Sequence, residues 1–140
     1  MVNKIGPKNI RIVMAGATGA VGVRCATALV SLPQVSKLSL LGRRRANVSG
    51  DAVIQHTIDF LEPQTYTQYL NNHDVAICTV GVGEPSKISK EMFLKIDRDA
   101  VLDFAAHCKE AGIRHFELLS SVGVNQASRS FFLRSKGELE

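Results

Sequence analysis

The chain has 140 residues, 45% of them hydrophobic and 21% charged, with a formal net charge of +4. That is the length of one domain with a core of its own, and no run of eighteen apolar residues is present to span a membrane. The charge is lopsided, with eight Lys/Arg and no Asp or Glu in residues 1–50, against nine and thirteen in residues 51–140. A basic front half suits a polyanionic ligand. The aromatics are few and none is interleaved with those charges, which ranks a nucleic-acid surface well behind a nucleotide.

Met1–Lys8 lacks the apolar stretch of a secretory signal. Cys25, Cys78 and Cys108 lie far apart, each inside an apolar helix or strand pattern. They read as buried, reduced thiols of a cytoplasmic protein. His56, His73, His107 and His115 have no metal-ligand spacing, so no metal is expected.

Ile10-Arg-Ile-Val-Met14 is apolar and β-prone, the pattern of a strand buried on both faces. Gly16, Gly19 and Gly22 follow at intervals of three, and Val21, Cys25, Ala28, Leu29 and Leu32 then recur at helical spacing until Pro33. Strand, glycine turn and helix together predict a nucleotide-binding turn over Gly16, Ala17, Thr18, Gly19, Ala20, Val21 and Gly22. Gly16 would reverse the chain, Gly19 would let backbone approach a pyrophosphate, and Gly22 would let the helix pack closely. The N–H groups around Gly19 to Val21 would face phosphate oxygens, with the positive end of the helix dipole behind them. The competing reading is a tight turn that merely needs glycine.

Lys37–Leu41 reads as a second strand closing a βαβ unit, and it runs into Gly42-Arg-Arg-Arg45. An NAD site usually places an acid there for the ribose hydroxyls; Arg43 and Arg44 suit a 2′-phosphate, so the expected cofactor is NADP. A solvated basic loop is the alternative. Residues 47–51 read as a polar turn and Ala52–Ile58 as a third strand, with Asp59 and Phe60 placed to hold an adenine edge. Pro63–Leu70 reads as a short helix. Val75–Thr79 is a fourth strand that runs into the loop Val80-Gly81-Val82-Gly83, where backbone could lie against a ribose or nicotinamide.

A long helix is expected from Ser89 to Gly112, with Phe93, Ile96, Ala100, Phe104 and Cys108 inward and Asp97, Asp99 and Asp103 on its wet face. His115–Leu119 is a fifth strand delivering Ser120 and Ser121, and Phe131–Glu140 a last helix. Strands alternating with helices predict a doubly wound α/β domain with a parallel sheet ordered 3-2-1-4-5 in three αβα layers. All candidate residues then gather at the carboxyl ends of the strands.

With these motifs the chain resembles the atypical short-chain dehydrogenase/reductases, and within them the HIV Tat-interacting protein family of NADP-binding proteins. The marks are Gly16-Ala-Thr-Gly-Ala-Val-Gly22, Leu41-Gly-Arg-Arg44, Asp97-Arg-Asp99, His115-Phe-Glu-Leu-Leu-Ser-Ser121 and Lys136-Gly-Glu138. The resemblance implies a Rossmann-like domain over residues 1–140 and NADP(H) as cofactor. It implies that Ser121, or its neighbour Ser120, polarises a carbonyl, and that Lys136 holds the nicotinamide ribose. The family's roles in transcription, nuclear import and apoptosis add a protein partner and the nucleus to the expected setting.

Two departures stand out. The family's reductases carry a proton-donating tyrosine four residues before that lysine, and this chain has Phe132 there, which has no hydroxyl to give. Family members also continue past this point, so the chain reads as a domain cut off after its fifth strand and following helix, without the substrate-covering part. An unpaired sheet edge and an uncovered apolar face are expected, and with them self-association or marginal stability. Two functions follow: an NADP-dependent oxidoreductase with an impaired site, or an NADP(H)-binding regulatory module without turnover. Phosphoryl transfer has no G-x-x-x-x-G-K-[ST] to support it.

Overall fold

The side chains of strand β1 (Ile10–Ala15) alternate between two cores, and that alternation sets the layers. Ile12 and Met14 face helix α1 (Ala20–Val30), together with Leu38 and Leu40 of β2 (Val35–Gly42). Val13 and Ala15 face the other way, onto Val101, Phe104 and Cys108 of helix α3 (Ala100–Glu110). Val13, Met14 and Ala15 are wholly buried, as a central parallel strand requires. Complete burial of Val13 or Met14 contributes roughly 1.5–3 kcal/mol each.

This computed structural model describes residues 9–140; the reading of Met1–Lys8 lies outside them. With β3 (Val53–Thr57), β4 (Val75–Cys78) and β5 (His115–Leu118), the sheet is parallel and ordered β3-β2-β1-β4-β5. The chain ends its described course in helix α4 (Phe131–Leu139), capped by Ser130. Gly112 takes φ +84 and stops α3, as its position predicts.

Several local expectations need correction. The inward line of α1 is Gly22 and Ala26, while Val21 is 52% and Leu32 46% exposed and Ala28 is also exposed. Helix α1 is turned by the need to bring Gly22, not Val21, against the glycine turn. Cys25 is consequently half-buried, whereas Cys78 and Cys108 are buried. Pro63–Leu70 is not one helix but two 3₁₀ turns, Pro63–Thr65 and Thr67–Tyr69. Within the turn 47–51, Val48 is buried, as is Ala46 just before it. The long helix runs as α2 (Lys90–Leu94), capped by Ser89, then a π turn over Lys95–Asp99, then α3.

The face of β5 turned away from α3 is polar. His115 and Glu117 are exposed there and pair with each other, while Phe116 and Leu118 pack inward. The uncovered apolar face expected from the sequence is therefore absent on this strand, because its outward positions are a histidine and a glutamate.

Arg11 ties β1 to the entry of β4. Its backbone N–H and Nε donate to Asp74 Oδ2 at 2.9 and 3.1 Å, a terminal nitrogen donates to Oδ1 at 3.0 Å, and the Asp74 N–H returns a bond to Arg11 O at 2.8 Å. These bonds, with the guanidinium charge, hold the Asp74 carboxyl down at about 2, from an ordinary 3.8. A depressed carboxylate stabilises the fold above its unfolded pKa and loses that contribution as pH falls through its folded one. Asp74→Asn should therefore be less stable than wild type at neutral pH. The gap should close as pH drops from 3.8 toward 2, read as urea midpoints across the series. A gap that does not change with pH overturns this account.

Candidate functional site

The turn after β1 is built so that helix α1 can lie almost on it. Gly16 sits at φ +98, where any side chain is strained, and a Cβ there would lie 2.4 Å from Thr79 Oγ1. A Cβ on Gly22 would lie 1.9 Å from Gly16 O, so no side chain fits between helix and turn. Thr79, just past β4, donates its hydroxyl to Gly16 O at 3.0 Å and holds the turn from the far side. Gly19 differs from both. A Cβ there would meet only Gly16 O, at an ordinary 3.5 Å, and its φ of −76 suits any residue. Nothing in the fold needs glycine at 19.

Gly19 is the N-cap of α1, no side chain caps it, and the first turn contains no acidic residue. The first-turn N–H groups and the positive helix end are thus left for an anion. Beside this helix end lies a cleft of about 400 Å³ at the carboxyl ends of the strands, the size of a small-molecule site. Gly16, Ala17, Thr18 and Gly19 form one wall; Gly42, Arg43 and Arg44 form another. Asp59 and Phe60 beyond β3, and Thr79, Val80, Gly81 and Val82 beyond β4, complete it. Arg43 and Arg44 are exposed and pair with no carboxylate among the described residues. Ala20 and Val21 open α1 outside these walls, and Gly22 lies beneath the turn.

Ser120, Ser121 and Lys136 do not line that cleft. They surround a smaller chamber of about 110 Å³, which also holds Phe132 and Asp97 and shares the loop Thr79–Val82 with its neighbour. Ser120 Oγ donates to Glu140 Oε1, so Ser121 is the hydroxyl left for a ligand. Neither tyrosine lines either space. Tyr66 is wholly buried between Phe60 and Phe104, and Tyr69 stacks on His56. Burial drives the Tyr66 phenol up, further from acid chemistry.

Asp97 is the residue that sequence reasoning misplaced. It is 2% exposed, inside the fold and not on the wet face. Its Oδ1 accepts the Val82 N–H at 3.1 Å, and its Oδ2 lies 2.8 Å from Lys136 Nζ, itself in a residue only 6% exposed. At that distance the two groups form a close ion pair. The signal was present in the sequence. Asp97 stands four residues after Phe93 and four before Val101, which is the spacing of the inward stripe. One residue on, Arg98 reaches Glu138 at 2.7 Å. Two ion pairs of opposite sense thus join the π turn to α4. π turns are rare and recur at functional sites.

A parallel sheet ordered 3-2-1-4-5, with an uncapped glycine turn opening onto its carboxyl edge, defines a Rossmann-like nucleotide-binding domain. The chain belongs to the family described as NAD(P)H-binding, which it matches over residues 16–139. It is 33% identical over 136 residues to Protein HTATIP2 of Rattus norvegicus, covering 95% of this chain and 56% of that protein. It is 31% identical over 134 residues to "Protein FMP52, mitochondrial" of Meyerozyma guilliermondii, covering 94% and 57%. The chain therefore spans little more than half the length of these curated relatives.

Among solved structures, the Helicobacter pylori ADP-L-glycero-D-manno-heptose-6-epimerase aligns with a TM-score of 0.76 at 18% identity, covering 94% of this chain and 49% of that one. The oxidoreductase ylbE from Lactococcus lactis aligns at 0.70 and 20%, covering 91% and 60%. At these identities the likeness shows the fold.

The buried ion pair generates a stability test. Asp97→Ala leaves the Lys136 ammonium buried without its partner, and should cost about 3–5 kcal/mol in urea unfolding. Replacing both partners, as Asp97→Leu with Lys136→Met, should recover most of that loss. A double variant as weak as the single one would show that the loss comes from removing the pair itself and not from an ammonium left without its partner.

Proposed function

We propose that this chain binds NADP(H) in the large cleft and is a carbonyl reductase in design, with its proton donor missing. One observation carries the reading. The glycine turn at an uncapped helix N-terminus, and two arginines without carboxylate partners among the described residues, form two walls of the same cleft. Gly19 and the first turn of α1 would hold the pyrophosphate, with Arg43 and Arg44 on the 2′-phosphate. Asp59 and Phe60 would flank the adenine, and Thr79 to Gly81 would lie along the nicotinamide ribose. Bound there, the cofactor supplies a hydride.

The smaller chamber would take the carbonyl. Ser121 would donate a hydrogen bond to the carbonyl oxygen, and the Lys136 ammonium, held in place by Asp97, would stand near the ribose and stabilise negative charge. No group in the chamber matches a phenol as proton donor. Phe132 is apolar, and a serine hydroxyl is too weak an acid to replace a tyrosine lowered by a neighbouring lysine. That same Phe132 favours the second reading, in which NADP(H) occupancy regulates a protein partner without turnover. We place the chain in the cytoplasm on its free thiols. The word mitochondrial in the names of the FMP52 relatives makes the mitochondrion the alternative, which imaging of the tagged full-length protein decides.

Fluorescence titration with NADPH and NADH tests the cofactor. Each charge-assisted contact from Arg43 or Arg44 contributes roughly 1.5–3 kcal/mol, so wild type should prefer NADPH at least about ten-fold. Arg43→Ala with Arg44→Ala should erase most of that preference and barely touch NADH. Gly19→Val should abolish binding of both with the fold intact, because its Cβ meets only Gly16 O. Undiminished binding by Gly19→Val would place the site elsewhere.

Turnover is tested by Phe132→Tyr. A positioned acid contributes roughly 10²–10⁴-fold to such a step, so the variant should gain NADPH-dependent reduction on a carbonyl panel. Vigorous reduction by the unmodified chain would end the impaired-site reading.

A further inference from the structure

The segment that carries Arg43 and Arg44 has no regular structure between Gly42 and Val53, yet one side chain fixes its course. Gln55 lies on β3 opposite Leu40 of β2, on the face of the sheet that carries α1. Its Oε1 accepts the Ala46 N–H at 2.7 Å, and its Nε2 donates to Ala46 O at 3.0 Å and to Val48 O at 3.2 Å. A primary amide has the shape of a peptide group, so Gln55 pairs with Ala46 as a neighbouring strand would and adds a second carbonyl two residues on. Ala46 and Val48 are pressed into the core beside Leu40, and Gln55 lines the same cleft as Arg43 and Arg44.

Resting on the NADP(H) reading above, we infer that Gln55 is the positioning residue for selection of the 2′-phosphate. Three successive arginines repel one another, and an unclamped loop carrying them would spread into solvent. Ordering it around a ligand would then be subtracted from affinity. The clamp orders the loop beforehand. It fixes the backbone at Ala46, two residues after Arg44, so that both guanidinium groups stand on the cleft wall before a phosphate arrives. Gln55 acts through the arginines and needs no contact with the ligand. Its loss should therefore fall on the phosphorylated cofactor alone.

The experiment is a cycle of four proteins on the full 140-residue chain. Wild type, Gln55→Ala, Arg43→Ala with Arg44→Ala, and the triple variant are each titrated with NADPH and NADH. Gln55→Ala should weaken NADPH about five- to ten-fold, the scale of one or two neutral hydrogen bonds, and leave NADH unchanged. In the arginine-free background Gln55→Ala should have no further effect on either cofactor. Should Gln55→Ala fail to fold by circular dichroism, Gln55→Met keeps the length and buried volume while removing the amide, and carries the same expectation.

Equal weakening of both cofactors would mean the clamp only supports the fold, and overturns the inference. A loss of NADPH that persists without the arginines would mean that Gln55 touches the ligand itself, and overturns it too. A wild-type preference for NADPH that Gln55→Ala leaves intact overturns this inference alone. A wild type without any preference overturns the NADP reading and this inference with it.

Discussion

No side chain fits between helix α1 and the turn that feeds it, and the rest of the site depends on that contact. Gly22 brings the helix to within a bond's reach of the Gly16 carbonyl, where a Cβ would lie 1.9 Å away. The Thr79 hydroxyl closes on the same carbonyl from β4. The turn, the helix that follows it and the end of a strand distant in sequence are thereby locked around one oxygen. The helix axis is aimed out of the turn, and its first N–H groups open at the carboxyl edge of the sheet. Gly16 and Gly22 serve this architecture, whereas Gly19 has no such packing role.

The second wall is made differently. Arg43 and Arg44 lie on a loop without regular structure, so their placement rests on Ala46 and Val48 buried beneath them and on the Gln55 amide. The first wall is held by close packing of backbone, the second by a side chain standing in for backbone. A side chain at Gly16 or Gly22 should disturb the fold. The second wall lies on a loop outside the sheet.

The smaller chamber balances buried charge with buried charge. Asp97 and Lys136 are both nearly inaccessible, and removing a lone charge from water costs several kcal/mol that only a partner can offset. The pairing also sets geometry. One carboxylate oxygen holds the Val82 N–H in the loop shared by both spaces, and the other faces the ammonium beside Ser121 and Phe132. The apolar ring of Phe132 stands four residues before that lysine, in the same chamber.

The sequence by itself determined the strand order, the glycine turn and the gathering of candidate residues at one edge. Each of these depends on local periodicity and on the rule that parallel strands joined by helices end on the same side. The phenylalanine at position 132 was legible too, since it is a matter of residue type alone. Only the tertiary structure decided which face of α1 is buried, because that is set by the Gly22 contact and not by the count of apolar residues. It also decided that Lys136 belongs to Asp97, that Ser120 is taken by Glu140, and that Gln55 holds the arginine loop. Those pairings span 39, 20 and nine residues of sequence separation. Polar side chains carry no periodic signature of their partners; only packing brings them within bonding distance.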